Sequence, residues 1–215
     1  MRVLHITQLP EQVVELIGKP EPLFLPYMPG RFYAPAGSYY SNGEEATTNM
    51  ITFMPFFIRE DVQISEIHWK VYNVTGPGNA VIGIYSHNLP VSPTPTGTPV
   101  WQHAYNAGGA QDKVVAGVGI ALYRGLYWLA ATASSPITYH SVDQYADLVN
   151  EWYMTFGSDT AQGPATYAGL GFRKAYTFDG TLPYLEGEAS TDGLLTDSTM
   201  EKGPGFCFKV ALAIS

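Results

Sequence analysis

The stretch of sequence that decides the fold is VVAGVGIALYRGLYWLAATA, residues Val114–Ala133. It is predicted to form two β-strands that meet at Arg124-Gly125, because apolar runs flank a turn signal that contains glycine. The second strand is apolar on both faces, one carrying Leu126, Trp128 and Ala130 and the other Tyr127, Leu129 and Ala131. Since a strand in a two-layer sandwich usually has one face in solvent, we expect a second cover over this strand.

The second cover has three candidates, which are a long loop of the same chain, the N-terminal arm and a neighbouring subunit. If a subunit supplies it, the residues on the covered face belong to an interface between copies of the chain. Tyr127 and Leu129 are accordingly predicted as subunit-interface residues.

Strands are also predicted across most of the chain from Arg31 onward. Residues 64–74 show the period-two alternation of a half-buried strand, with Ile67, Trp69 and Val71 facing in and His68, Lys70 and Tyr72 facing out. The C-terminal stretch FCFKVALAI, Phe206–Ile214, alternates in the same way. Short strands separated by Gly and Pro turns favour an all-β fold, an antiparallel jelly-roll-like β-sandwich over residues 31–215.

Residues 1–30 differ from the rest and are predicted to form an extended N-terminal arm. A short helix is expected from Pro10 to Ile17, because Pro in the first turn and Gly18 at the end are typical helix boundaries. The proline-rich segment that follows cannot pair inside a sheet, yet it is too apolar for a free linker. The arm either crosses its own domain or docks on a partner, and we favour docking. The predicted docking residues are Val13, Val14, Leu16, Ile17, Leu23, Phe24, Leu25 and Tyr27.

The composition argues against several classes of function. Charged residues make up only 14% of the 215 residues, against the usual quarter or so. A net charge of −8 without a Lys/Arg cluster argues against nucleic-acid binding. No apolar run approaches the roughly 20 residues of a transmembrane helix, and the N-terminus lacks the features of a signal peptide. Cys207 is the single cysteine, so no intrachain disulfide can form.

No motif predicts a reaction centre. No two of the five histidines lie within five residues of each other, so none shows metal-ligand spacing. Nucleophile-elbow, phosphate-loop and dinucleotide-binding patterns are also missing, and we expect no catalytic residues, no metal and no cofactor. A glycan hydrolase is the weakest alternative. Its candidate carboxylates are Glu60, Asp61 and Glu66, or Asp143, Asp147 and Glu151, and the second set is spaced like a solvated helix face rather than a catalytic carboxylate pair.

A carbohydrate-binding module is the main alternative to a structural protein. Aromatic rings in or near loops can stack on sugars while their polar atoms stay in water. The candidate glycan-binding residues are Trp101, Tyr105 and Tyr139. Packing of the same rings against the rim of the domain, or against a neighbouring subunit, would explain them equally well.

Four short motifs resemble a known family when they are taken in order along the chain. They are Arg31-Phe32-Tyr33-Ala34-Pro35, then VIGIYSHN at residues 81–88, GLYWLA at residues 125–130 and GTLP at residues 180–183. This order resembles a β-sandwich module of structural proteins of tailed bacteriophages, notably tail fibre, receptor-binding and head-decoration proteins. The resemblance extends over residues 31–215.

The resemblance implies a virion component without enzymatic activity, folded in the bacterial host cytoplasm. Its architecture would be a jelly-roll-like sandwich, often trimeric, attached to the particle through an N-terminal segment. The chain has no long shaft, which favours a short fibre, a knob or a capsid decoration protein. The expected partners are other virion proteins, further copies of the chain and, in the alternative, a host-surface glycan, with neither nucleic acid nor membrane insertion.

Overall fold

Every regular element of the described chain is a β-strand. A computed structural model describes residues 27–33, 40–46, 49–74, 78–87, 95–109, 111–142, 172–185, 203–204 and 206–214. The strands are β1 (Phe32–Tyr33), β2 (Tyr40–Ala46), β3 (Met50–Ile58), β4 (Val62–Val74), β5 (Asn79–His87), β6 (Pro95–Asn106), β7 (Gln111–Leu122), β8 (Gly125–Ala133), β9 (Ile137–Val142), β10 (Phe172–Ala175), β11 (Gly203–Pro204) and β12 (Phe206–Ala213). The all-β prediction is confirmed. The helix predicted between Pro10 and Ile17 lies outside the described residues.

The strands form two sheets in which every pairing is antiparallel. The first sheet has the order β1-β12-β4-β9-β11, with β2 paired to β9 and β7 paired to β4. The second sheet has the order β10-β3-β8-β5-β6. From β2 to β9 the chain changes sheet at every connection except the one between β5 and β6. Distant segments of sequence therefore become neighbours in both sheets.

The main core lies between the inner faces of the two sheets. Ile67 and Val71 of β4 are fully buried there, while Lys70 and Tyr72 are exposed, which confirms the alternation predicted for this strand. Phe56 of the second sheet meets Phe206 of the first edge to face, with ring centroids 4.9 Å apart. This packing of two sheets face to face gives a β-sandwich-like fold.

A second core covers the outer face of β8, as its two apolar faces predict. Trp128 and Ala130 lie here, while Leu129 faces the main core. The cover is residues 176–185, which we name the strap, and its buried anchors are Leu182 and Leu185. Of the three candidates for the cover, the structure therefore shows a loop of the same chain.

Hydrogen bonds hold the strap along its length. The Tyr85 hydroxyl donates to the carbonyl oxygen of Pro183 at 2.6 Å, and the Leu182 N–H donates to Gln102 Oε1 at 2.9 Å. At its end the strap pairs with Gly97 of β6 through two backbone bonds of 2.8 and 2.9 Å with Leu185. The strap therefore crosses the second sheet from β3 to β6 as a fixed element.

Candidate functional site

Seven of the eight predicted docking residues lie outside the described residues: Val13, Val14, Leu16, Ile17, Leu23, Phe24 and Leu25. The eighth, Tyr27, is 6% exposed and belongs to the main core. Its ring lies 4.6 Å from Tyr33 and 5.8 Å from Phe208, centroid to centroid, and its N–H donates to the Glu60 carboxylate. Packing within the chain accounts for the apolar character of Tyr27.

The two predicted subunit-interface residues also pack within the chain. Leu129 is fully buried and Tyr127 is 9% exposed, both in the core between the sheets. The Tyr127 ring stacks on Phe56 at 5.9 Å, and its hydroxyl accepts the Tyr123 N–H at 3.0 Å. Burial raises the pKa of Tyr127. These two side chains therefore offer no surface to a partner.

The three candidate glycan-binding residues do not form a platform of exposed rings. Tyr139 is 2% exposed, and its hydroxyl lies 2.8 Å from that of Tyr105. Burial raises the pKa of Tyr139 to about 12 and that of Tyr105 well above its ordinary value. Trp101 is half-buried against the main core. Tyr105 and Tyr139 thus form a neutral hydrogen-bonded pair at the core.

The described residues give no support to a glycan hydrolase, a metal site or a membrane-spanning helix. Of the glycan-hydrolase candidates, Asp143, Asp147 and Glu151 lie outside the described residues. Glu60, Asp61 and Glu66 accept hydrogen bonds from Tyr27, Arg124 and Lys209 respectively. Within the described ranges, no three His, Cys, Asp or Glu side chains gather into a group that could hold a metal ion. The same ranges contain no helix of the length and apolarity needed to cross a membrane.

Among the described residues, β1, β12, β4 and β7 form the outer face of the first sheet. Register places Phe32 opposite Lys209, Lys209 opposite Glu66, and Glu66 opposite Ala116. Large apolar side chains project from this face at close to half exposure: Phe32 at 48%, Tyr72 at 45%, Val114 at 52% and Leu212 at 46%. These side chains share one face of the sheet, on which charged side chains lie between them.

The charges in the middle of this outer face compensate one another. Glu66 accepts from Lys209 Nζ at 2.7 Å and lies 3.1 Å from His68 Nε2. Hydrogen bonds from Lys209 and His68 lower the pKa of Glu66. The Lys209 ammonium also lies 5.3 Å from the Phe32 ring centroid. Because these ions already have partners, covering them with another protein costs less than covering isolated charges.

Strand β7 borders this face and carries small residues. Gly117 and Gly119 have φ of +68° and +64°, a conformation that favours glycine. They lie where the register with β4 shifts between Ile64 and Glu66, which marks a β-bulge. A bulge in an edge strand twists the edge and opposes the addition of a further strand. The face of this sheet, rather than its β7 edge, is therefore suited to contact with a partner.

A groove of about 540 Å³ lies where the start of β5 and the end of β6 meet the strap. Asn79, Tyr105 and Asn106 line it on the sheet side, and Phe178 and Asp179 line it on the strap side. Asp179 Oδ1 accepts three bonds, from the Tyr176 hydroxyl at 2.7 Å and from the N–H and hydroxyl of Thr181 at 2.9 Å each. These bonds lower the pKa of Asp179, so its carboxylate is ionised at neutral pH.

Sequence reasoning missed both of these surfaces for different reasons. The outward positions of His68 and Tyr72 follow from the alternation of β4, but the pattern alone does not bring Phe32 and Lys209 beside them. The groove joins residues about a hundred positions apart, such as Asn79 and Asp179, so no local pattern could predict it. In comparison with known proteins, no family model matches the sequence and no curated protein matches it significantly.

Proposed function

We propose that this chain is a non-enzymatic structural protein of a bacteriophage virion. In this proposal, copies of the chain associate through the outer face of the first sheet, and residues 1–26 attach the assembly to another virion protein. The outer face carries the proposal, because Phe32, Val114 and Leu212 are each about half exposed around charges that are already paired. The motif resemblance described above is what points to a virion.

We propose further that the two sheets are those of a jelly roll. Four strands of the first sheet follow the order β2-β9-β4-β7, and four of the second follow β3-β8-β5-β6. Eight antiparallel strands in two four-stranded sheets, joined by connections that alternate between the sheets, are typical of jelly rolls in viral capsid and lectin domains. Fold alone does not assign function, so this order supports a virion role without distinguishing it from glycan binding.

The proposed oligomer is a trimer, the state that the motif resemblance implies, with closed symmetry. Most soluble homo-oligomers are closed, and a closed ring can bury the outer face of every copy. The apolar side chains of that face supply the hydrophobic driving force, at about 25 cal/mol per Å² of apolar area removed from water. The small side chains along β7, among them Ala116, let a second sheet approach closely. The Glu66–Lys209 pair can remain intact as the interface closes.

The oligomer is tested with a pair of matched valine substitutions. Val114 of β7 is 52% exposed on the outer face, and Val100 of β6 is 44% exposed on the other sheet. We expect Val114→Glu to dissociate the trimer, because it buries a new charge opposite His68, whose Nε2 already lies 3.1 Å from Glu66. A cost of roughly 2–5 kcal/mol weakens association about 30-fold or more. Val100→Glu, the control, should leave the trimer intact.

The measurement is size-exclusion chromatography with multi-angle light scattering on the full chain. Urea unfolding of both variants checks that each still folds. A monomeric wild type, or equal masses for the two variants, would contradict self-association through this face.

Membership of a virion is tested separately by immunogold electron microscopy with an antibody against this chain. Gold at a fixed position on phage particles is the expected result. Gold confined to free protein or cell debris would overturn the virion assignment and leave self-association to be judged by light scattering alone.

A further inference from the structure

We infer that the groove between the strap and the ends of β5 and β6 binds a neutral sugar. This inference goes beyond the proposed structural role, which needs only the outer face of the first sheet and the N-terminal arm. The groove lies on the second sheet and has a volume of about 540 Å³. That volume falls in the range of small-molecule sites, roughly 300–1,000 Å³.

The chemistry of the lining excludes other classes of small ligand. Asp179 is ionised, and the residues that line the groove include no Lys, Arg or His. A phosphate or carboxylate ligand would meet this negative charge, and the ammonium of Lys113 beside the groove already donates to the Asn106 carbonyl oxygen at 3.0 Å. A purely apolar ligand would leave the carboxylate and the amides of Asn79 and Asn106 without partners, which costs free energy when they are desolvated. The ligand must therefore offer several hydroxyl groups.

A sugar can contact both the polar and the apolar residues that line the groove. Its hydroxyl groups can donate to the Asp179 carboxylate and can both donate to and accept from the asparagine amides. Its C–H face can pack on the aromatic ring of Phe178, which lines the groove on the strap side. Hydrogen bonds to an ionised group are stronger than those between neutral groups, so Asp179 is expected to contribute most to binding.

The carboxylate of Asp179 and the amide of Asn106 are already held in place, and the backbone of Asn79 is fixed. Three hydrogen bonds fix Asp179 through its Oδ1 atom, and Oδ2 takes part in none of them. The Asn79 backbone is tied to Ser134 by bonds of 3.0 and 2.9 Å. Asn106 Oδ1 accepts the Gly108 N–H at 2.8 Å. Asp179 and Asn106 therefore have little conformational entropy left to lose when a ligand binds, which favours affinity.

The test is saturation-transfer difference NMR on the full chain. The probes are methyl α-glucoside, methyl α-galactoside, methyl α-mannoside and N-acetylglucosamine, together with calcium chloride in a parallel thermal-shift assay. We expect at least one sugar to receive saturation with a dissociation constant on the order of 1 mM or tighter. No transfer to any of the four sugars would overturn the inference.

Substitutions then test whether the sugar binds in the groove. Asn79→Ala removes an amide whose side chain makes no hydrogen bond to another described residue, and Asp179→Asn keeps the Oδ1 acceptor while it removes the charge. Each should weaken binding about tenfold or more. Asp112→Asn is the matched control, because this carboxylate lies on β7 and is 77% exposed, and it should leave binding unchanged.

The remaining outcomes each count against the inference. Undiminished binding in both groove variants would place the sugar elsewhere on the protein. A thermal shift with calcium chloride but no saturation of any sugar would make the groove a cation site. Urea unfolding of each variant shows whether lost binding reflects lost folding, and the Asn79 variant remains informative if the Asp179 variant fails to fold. None of these results depends on the oligomeric state.

Discussion

Replacement of Gly83 by Ala should disrupt the contact between the strap and the second sheet. Gly83 of β5 lies between β6 and β8, on the face that the strap covers. A Cβ atom there would lie 2.4 Å from Leu182 Cδ1 and 2.6 Å from the carbonyl oxygen of Trp101. Leu182 is 5% exposed, so it occupies the space that the glycine leaves above the sheet.

The size of the effect follows from these two distances. Overpacking of a well-packed core typically costs about 1–3 kcal/mol, and the backbone oxygen of Trp101 cannot move without a shift of β6. The alanine also reduces the conformational entropy of the unfolded chain, which stabilises the folded state by about 0.4–1 kcal/mol. We therefore expect Gly83→Ala to lower the free energy of unfolding by about 1–2 kcal/mol, the balance of those two ranges.

A double-mutant cycle with Leu182→Ala separates the two contacts. Leu182→Ala removes Cδ1 and so relieves the 2.4 Å contact, but the 2.6 Å contact with Trp101 remains. The cost of Gly83→Ala should then fall by about 1 kcal/mol in the Leu182→Ala background, within the usual range for residues in contact. It should not vanish, because the backbone contact remains.

The assay is urea unfolding followed by tryptophan fluorescence, with hydrogen exchange of the Leu182 and Leu185 amides as a local probe of the strap. Gly83→Ala should lower the midpoint and speed the exchange of both amides. An unchanged midpoint together with unchanged exchange would refute the close approach of the strap to β5. Strictly additive costs in the cycle would show that Leu182 is not the residue above Gly83.

Two further predictions concern titratable groups in the cores. Tyr139→Phe should cost about 0.5–1.5 kcal/mol through the lost bond to Tyr105. Because burial raises the pKa of Tyr139 from 10.0 to about 12, its neutral form stabilises the fold below pH 10, and that stability is lost as pH rises towards 12. Urea midpoints of the wild type should therefore fall more steeply across this window than those of Tyr139→Phe, and equal slopes would contradict the assignment. Burial lowers the pKa of His87 below 6.5, and its Nδ1 accepts the Trp128 Nε1–H at 3.0 Å. Stability present above pH 6.5 should decline as the pH falls through the lowered value, and His87→Gln, measured by the same midpoints, should show less of this decline.

Much of the fold could be predicted from the sequence because its signals are local. Alternation in β4 correctly assigned Ile67 and Val71 to the core, since side chains of a strand point to opposite faces in turn. The two apolar faces of β8 correctly predicted a second cover. Its source could not be predicted, because the strap reaches β8 only after β10 pairs with β3, more than a hundred residues earlier in the chain.

The candidate sites were harder to predict, because an aromatic residue has the same letter whether it is buried or exposed. Tyr105 and Tyr139 suit a sugar platform by type, yet their hydroxyl groups satisfy each other at the core. Tyr127 and Leu129 suit an interface by type, yet the opposite sheet already covers them. Burial depends on which strands pair and which faces meet, and neither is encoded in the neighbours of a residue along the chain.

By itself, the sequence determined the class of structure: antiparallel strands bounded by Gly and Pro turns, with a strand at residues 125–133 that needs a cover on each side. This follows because hydrophobic period and turn chemistry act over a few residues. Only the tertiary structure decided that the strap supplies one cover, that Phe32 and Lys209 lie beside Glu66 on the outer face of the first sheet, and that Asn79 and Asp179 share a groove. Those outcomes depend on long-range strand pairing, in which buried area is gained between segments far apart in sequence.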